Sequence, residues 1–116
     1  MTTGPRGGKG LSAAVHRDDG EVVVDIRGEL DDFTAPRLRE TLEGLAEEGF
    51  ADLILDLGDM TFIDSTGLGV LVGALKRSQA RHGQVTLRHP SPATRKVLEL
   101  TGLHTVFTLV DGTEGA

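Results

Sequence analysis

Cysteine, tryptophan and tyrosine are missing from this chain of 116 residues, and it has only four phenylalanines and four prolines. Without cysteine there is no disulfide framework, no thiolate nucleophile and no sulfur ligand for a metal. The histidines, His16, His82, His89 and His104, show no close pairing, so no metal site is expected and no cofactor is assigned. Without tyrosine or tryptophan, the stacking platforms that hold single-stranded nucleic acid are lacking. Positive charge is also short: 12 basic residues face 18 acidic ones, for a net charge of −6. A nucleic-acid binder needs a basic face to neutralise phosphates, so that class is set aside. No apolar run approaches the roughly 18 residues that span a bilayer. The glycine-rich start around Arg6 and Lys9 lacks the continuous apolar stretch of a signal peptide. These absences leave a soluble, cytoplasmic domain whose partner is a protein or a small molecule, with neither nucleic acid nor membrane involved.

What is present reads as alternating strands and helices. Residues 1–10 show no apolar period and are expected to form a disordered arm, residues 11–110 the domain, and 111–116 a flexible tail. Leu11, Ala13 and Val15 alternate as a short strand. Asp18-Asp19-Gly20 turns into a second, with Val22, Val24 and Ile26 facing one way. Gly28-Glu29-Leu30-Asp31-Asp32 reads as a loop. Leu38, Leu42 and Leu45 then mark one face of a helix, with Pro36 in its first turn and Gly49 at its end. Leu53 to Leu57 is apolar at almost every position and should lie centrally in the sheet. A loop carrying Asp59, Asp64 and Ser65 follows, then a helix from about Thr66 to His82, terminated by Gly83. Its stripe of Leu68, Leu71, Val72 and Leu75 is expected to face the core, which would leave Val70 on the solvent side. Lys76, Arg77 and Arg81 read as a solvated face of that helix. Val85 and Leu87 make another strand, Ser91-Pro92 opens a short helix closed by Gly102, and Val106 to Leu109 suggests a last strand. The order β-β-α-β-α-β-α-(β) predicts an α/β fold with a mixed sheet of four to five strands, an opening antiparallel hairpin and about three helices.

The most informative stretch is Ile63-Asp64-Ser65-Thr66-Gly67-Leu68-Gly69-Val70, between an apolar strand and an amphipathic helix. The plain interpretation is a helix cap, since Asp, Ser and Thr all serve there. A cap needs one such residue, however, and three stand in a row. Gly67 and Gly69 each cost the helix roughly 1 kcal/mol relative to alanine, which suggests that something approaches closely. Free N–H groups and the positive end of the helix dipole at this point favour an added phosphate. Ser65 is accordingly the candidate phosphoacceptor. A flat surface of small residues around it is the candidate docking site.

Residues 53–83, centred on Phe62-Ile63-Asp64-Ser65-Thr66-Gly67-Leu68-Gly69-Val70, resemble the STAS domain of bacterial anti-sigma factor antagonists. Gly28-Glu29-Leu30-Asp31, Ser91-Pro92 and Thr101-Gly102-Leu103 extend the resemblance over about residues 11–110. It implies the STAS fold and a partner, an anti-sigma factor that is also a serine kinase and supplies ATP and Mg²⁺ itself. It further implies that binding frees a sigma factor, that phosphorylation of Ser65 switches binding off, and that a separate serine phosphatase resets it. The partner-binding residues it implies are Glu29, Asp31, Asp64, Ser65, Thr66, Gly67, Leu68, Gly69 and Val70. Nucleotide binding has been suggested within the family, and no residue is assigned to it here. No phosphate-cradling glycine loop with a lysine occurs in the chain, in keeping with a kinase that brings its own nucleotide.

Other functions fit less well. A phospho-aspartate receiver would use Asp56 or Asp59, but its paired acids should follow a first strand, whereas Asp18-Asp19 sit in a hairpin. An enzyme is not expected: Gly-x-Ser-x-Gly is absent and no histidine is placed as a base for Ser65. A STAS module acting as a scaffold in another signalling complex stays open as the alternative.

Overall fold

Val22, Val24 and Ile26 are fully buried while Val23 and Asp25 between them are only half covered, the alternation of a strand with one face on a core. The computed structural model describes residues 10–18 and 21–111. All of the proposed arm but Gly10, the tip of the opening turn (Asp19-Gly20) and nearly all of the proposed tail lie outside those residues.

Strands β1 (Leu11–Asp18), β2 (Glu21–Leu30), β3 (Leu53–Ile63), β4 (Val85–Arg88) and β5 (Thr108–Val110) form one five-stranded sheet in the order β1-β2-β3-β4-β5. β1 and β2 pair antiparallel with Asp18 opposite Glu21, and every other pairing is parallel. β3 lies centrally, as its continuous apolar run predicts. Helices α1 (Ala35–Glu47), α2 (Ser65–Ala80) and α3 (Pro92–Thr101) make the parallel connections, and a 3₁₀ turn, Leu103–Thr105, precedes β5. Three right-handed crossovers that all step the same way along the sheet put all three helices on one face. The core lies between them and the sheet, with Leu38, Leu42, Leu55, Leu57, Leu71, Leu87 and Leu98 inside it. Among the described residues the other face carries no helix, and charged groups pair on it: Arg27 bridges Asp25 and Asp59, and Asp56 takes Arg88 and His89. Among the described residues, no helix is long and apolar enough to cross a membrane.

Capping chemistry placed the helix ends well. Pro36 sits in the first turn of α1, and Gly49 adopts a left-handed φ of 102° just past its end. The Ser91 hydroxyl accepts the Thr94 N–H, and Gly102 closes α3 in the left-handed conformation.

Five expectations need correction. β3 does not stop at Leu57 but continues to Ile63, so Asp59 is in a strand and not in a loop. Likewise Gly28, Glu29 and Leu30 belong to β2. Both extensions depend on register shifts between Asp25 and Arg27 and between Gly28 and Glu29, which break the alternation a sequence pattern relies on. At the end of α2 the left-handed residue is His82, with φ 63°, and not Gly83. Gly83 is needed for another reason: a Cβ there would lie 2.2 Å from the Ala51 carbonyl oxygen.

The fourth correction concerns the phase of α2. Val70 is 2% exposed, so it faces the core and not solvent. The fully buried set is Gly67, Val70, Leu71, Ala74, Leu75 and Ser78, while Leu68 and Val72 are half covered. Apolar residues occupy more than half of this helix's circumference, so periodicity alone cannot choose its phase. The sheet and α1 choose it by enclosing the helix from two sides. Fifth, of the three residues expected on a solvated face, Lys76 and Arg81 are exposed but Arg77 is not. Arg77 is half-buried 3.9 Å from Glu43, with Nε and Nη2 enclosed, and Arg81 donates to the Ala46 carbonyl. Both fasten α2 to α1.

Candidate functional site

Ser65 stands where β3 ends and α2 begins, at the carboxyl edge of the parallel strands, the edge where open α/β sheets bind their ligands. The junction is organised by Asp64. Its backbone is extended (φ −111°, ψ −174°), its N–H donates to the Leu30 carbonyl at 3.1 Å, and its carbonyl accepts the Leu68 N–H at 2.9 Å. Its carboxylate accepts the Gly67 N–H at 2.9 Å. Asp64 is thus the whole cap, and the three candidates in a row have three different roles. Ser65 is the first helical residue, exposed and free of capping duty, and Thr66 beside it is exposed as well.

The two glycines also divide. Gly67 is buried, and a Cβ on it would lie 2.5 Å from Leu30 Cγ and 2.9 Å from the Leu30 carbonyl oxygen. What approaches Gly67 closely is therefore the end of β2, from within the same chain. Gly69 is exposed, with nothing within 4 Å of the place a Cβ would take. Leu68 between them is half-buried. Of the expected surface of small residues, only the outer part exists: Ser65, Thr66 and Gly69, while Gly67 and Val70 support it from below.

Leu30 is the residue that sequence reasoning missed here. It is fully buried, packs on Gly67 and accepts the Asp64 N–H, so it ties the end of β2 to the start of α2. An apolar residue isolated among Glu29, Asp31 and Asp32 was the available signal. Through it the segment that carries Glu29 and Asp31 is tied to the start of α2. Glu29 pairs with Phe62 across the two strands, and Asp31 follows at the turn.

Asp31 has a structural task of its own. Its Oδ1 accepts the N–H groups of Phe33 and Thr34, each at 3.0 Å, while the Thr34 hydroxyl donates to the Glu29 carbonyl at 2.8 Å. The Thr34 amide above all, with help from the Thr34 hydroxyl and the Phe33 amide, holds the Asp31 carboxyl below its ordinary pKa. On the bare face of the sheet, partial burial of Asp56 acts to raise its pKa. The Gly58 amide, His89 and Arg88 outweigh that, and the net shift is downward.

The fold and site together define a small one-sided α/β domain that presents a strand-to-helix junction at one edge of its sheet. The STAS domain family model matches residues 12–116, and the chain belongs to that family. It is 37% identical to an anti-sigma-B factor antagonist of Bacillus subtilis over 90% of this chain and 95% of that protein. An anti-sigma factor antagonist from Mycobacterium paratuberculosis superposes with a TM-score of 0.81 at 30% identity, covering 92% of this chain and 90% of that one. The anti-sigma factor antagonist SpoIIAA, a Bacillus cell fate determinant, is similar in both of its solved forms. The unphosphorylated form gives a TM-score of 0.74 at 26% identity, over 90% of this chain and 92% of that one. The phosphorylated form gives 0.73 at 27%, over 90% and 94%.

Proposed function

We propose that this chain is an anti-sigma factor antagonist, whose unphosphorylated form binds an anti-sigma factor with serine-kinase activity and so frees a sigma factor. Phosphorylation of Ser65 switches that binding off, and a serine phosphatase restores it. The whole exchange takes place in the cytoplasm. The kinase supplies ATP and Mg²⁺; the chain contributes a substrate hydroxyl and no catalytic residue. One observation supports this reading most: Ser65 is exposed at the first position of α2 while Asp64 alone satisfies the cap.

The physical mechanism is local. A phosphoryl group adds about −1.5 to −2 charges at neutral pH. The start of a helix tolerates that charge, so the fold survives the modification. The neighbouring carboxylates Asp64 and Asp31 do not attract it, and it covers the open surface at Thr66 and Gly69 that the partner needs. Docking is lost by bulk and charge, with little change in the backbone. The named relatives are anti-sigma factor antagonists, which accords with this role.

The test is incubation with candidate anti-sigma factor kinases of the same organism, ATP and Mg²⁺, followed by mass spectrometry. Label is expected on Ser65 and none on the Ser65→Ala variant. Label on an aspartate, or none with any candidate kinase, removes the proposal. Ser65→Asp is expected to weaken partner binding at unchanged helix content.

A further inference from the structure

Two of the four phenylalanines in the chain are exposed, Phe33 at 87% and Phe62 at 49%. Phe62 lies three residues before Ser65, and Phe33 three residues after Leu30, whose carbonyl accepts the Asp64 N–H. A lone exposed apolar residue is unremarkable. These two, however, are turned outward by separate local devices. Met60 is buried, and two residues on in a regular strand Phe62 would share its inward face. The register shift prevents this: Met60 is opposite Gly28 but Phe62 is opposite Glu29, so Thr61 is the extra residue and Phe62 is re-aimed outward. Phe33 is held out by the turn in which Asp31 accepts its N–H and that of Thr34. The two segments are joined by the hydrogen bond from Asp64 to Leu30 and by the packing of Leu30 on Gly67.

Charge identifies the kind of surface that fits. From Gly28 to Ala35 and from Met60 to Gly73 the chain carries Glu29, Asp31, Asp32 and Asp64 and not one Lys, Arg or His, while Asp59 just before is paired with Arg27. We infer that Phe33 and Phe62 are the aromatic anchors of the docking surface around Ser65. Their occupant is a protein face with apolar pockets rimmed by lysine or arginine, here the anti-sigma factor. The inference rests on the function proposed above. Aromatic side chains suit this role because they bring a large apolar area to an interface on only two rotatable bonds. The acidic rim speeds encounter with a basic face.

The experiment measures affinity of the full chain for the purified anti-sigma factor kinase that labels Ser65 in the test above. Three variants are compared with the unaltered chain: Phe33→Ala, Phe62→Thr (which keeps a strand-forming side chain) and Leu100→Ala. Leu100 is 76% exposed near the end of α3 and serves as a distant apolar control. Because all three side chains are exposed, thermal melts should stay unchanged. Each Phe variant is expected to bind at least about fivefold more weakly, with Leu100→Ala unaffected and association slowed by added salt. A loss under about fivefold for either Phe variant, an equal loss in Leu100→Ala, or association indifferent to salt overturns the inference alone. If the unaltered chain does not bind the kinase, the functional reading fails and this inference fails with it.

Discussion

The inner and outer sides of the first two turns of α2 are built by opposite rules. On the inner side Gly67 is required, because the backbone of β2 passes where a methyl group would be and Leu30 fills the space. On the outer side Gly69 has open space around it, and an alanine would make a better helix. The same residue type, two positions apart, is a packing requirement in one place and a local weakness in the other. An element that must both lock onto its sheet and offer a flat surface to a visitor meets both demands by dividing them between faces.

The largest expected effect would break this contrast from the inside. Gly67→Ala should destabilise the domain by about 2–3 kcal/mol, since a backbone oxygen cannot yield as a side-chain tip can. Denaturant unfolding measures it, and an unchanged midpoint would mean that the Leu30 contact is not tight. Next comes the cap. Asp64→Ala should cost about 1 kcal/mol while leaving Ser65 exposed, so kinase labelling of Ser65 should persist in the folded variant. Loss of labelling with the fold intact would show that Asp64 does more than cap.

Gly69→Ala should act with the opposite sign, raising stability by about 0.5–1 kcal/mol while weakening partner binding, because its methyl group stands on the outer surface. A thermal melt and an affinity measurement on one sample separate the two effects. If neither changes, Gly69 is neither a weakness nor a contact. The smallest effect concerns the Asp31 turn. Its carboxyl has a lower pKa folded than unfolded, so the unfolded chain takes up the proton more readily. The resulting stability is present above the ordinary carboxylate range, near about pH 4, and is lost as pH falls through the lowered value. Asp31→Asn should flatten that acid limb of a stability-against-pH curve; a limb unchanged in the variant would assign it to other carboxylates.

Much of the site was readable beforehand, because its chemistry is local. Asp64, Ser65 and Thr66 between an apolar strand and a helix had to lie near a helix start, and the structure only distributed their roles. The bulged ends of β2 and β3 were less accessible. Where register shifts set in, Asp59, Thr61 and Phe62 stop alternating in step with Leu53, Leu55 and Leu57. A reader of the pattern therefore ends the strand too early and misses that Phe62 turns outward.

Val70 shows most clearly where sequence stopped. Residue spacing alone determined that α2 is amphipathic, where it starts, and that the parallel strands would form one sheet with β3 inside it. Only the tertiary structure decided that Val70 points inward, that Gly67 makes room for Leu30, and that Arg77 is half-buried toward Glu43 of α1 instead of facing water. The reason is geometric. Periodicity and caps are properties of neighbours along a chain, whereas the phase of a helix is set by what encloses it, here a sheet on one side and α1 on the other.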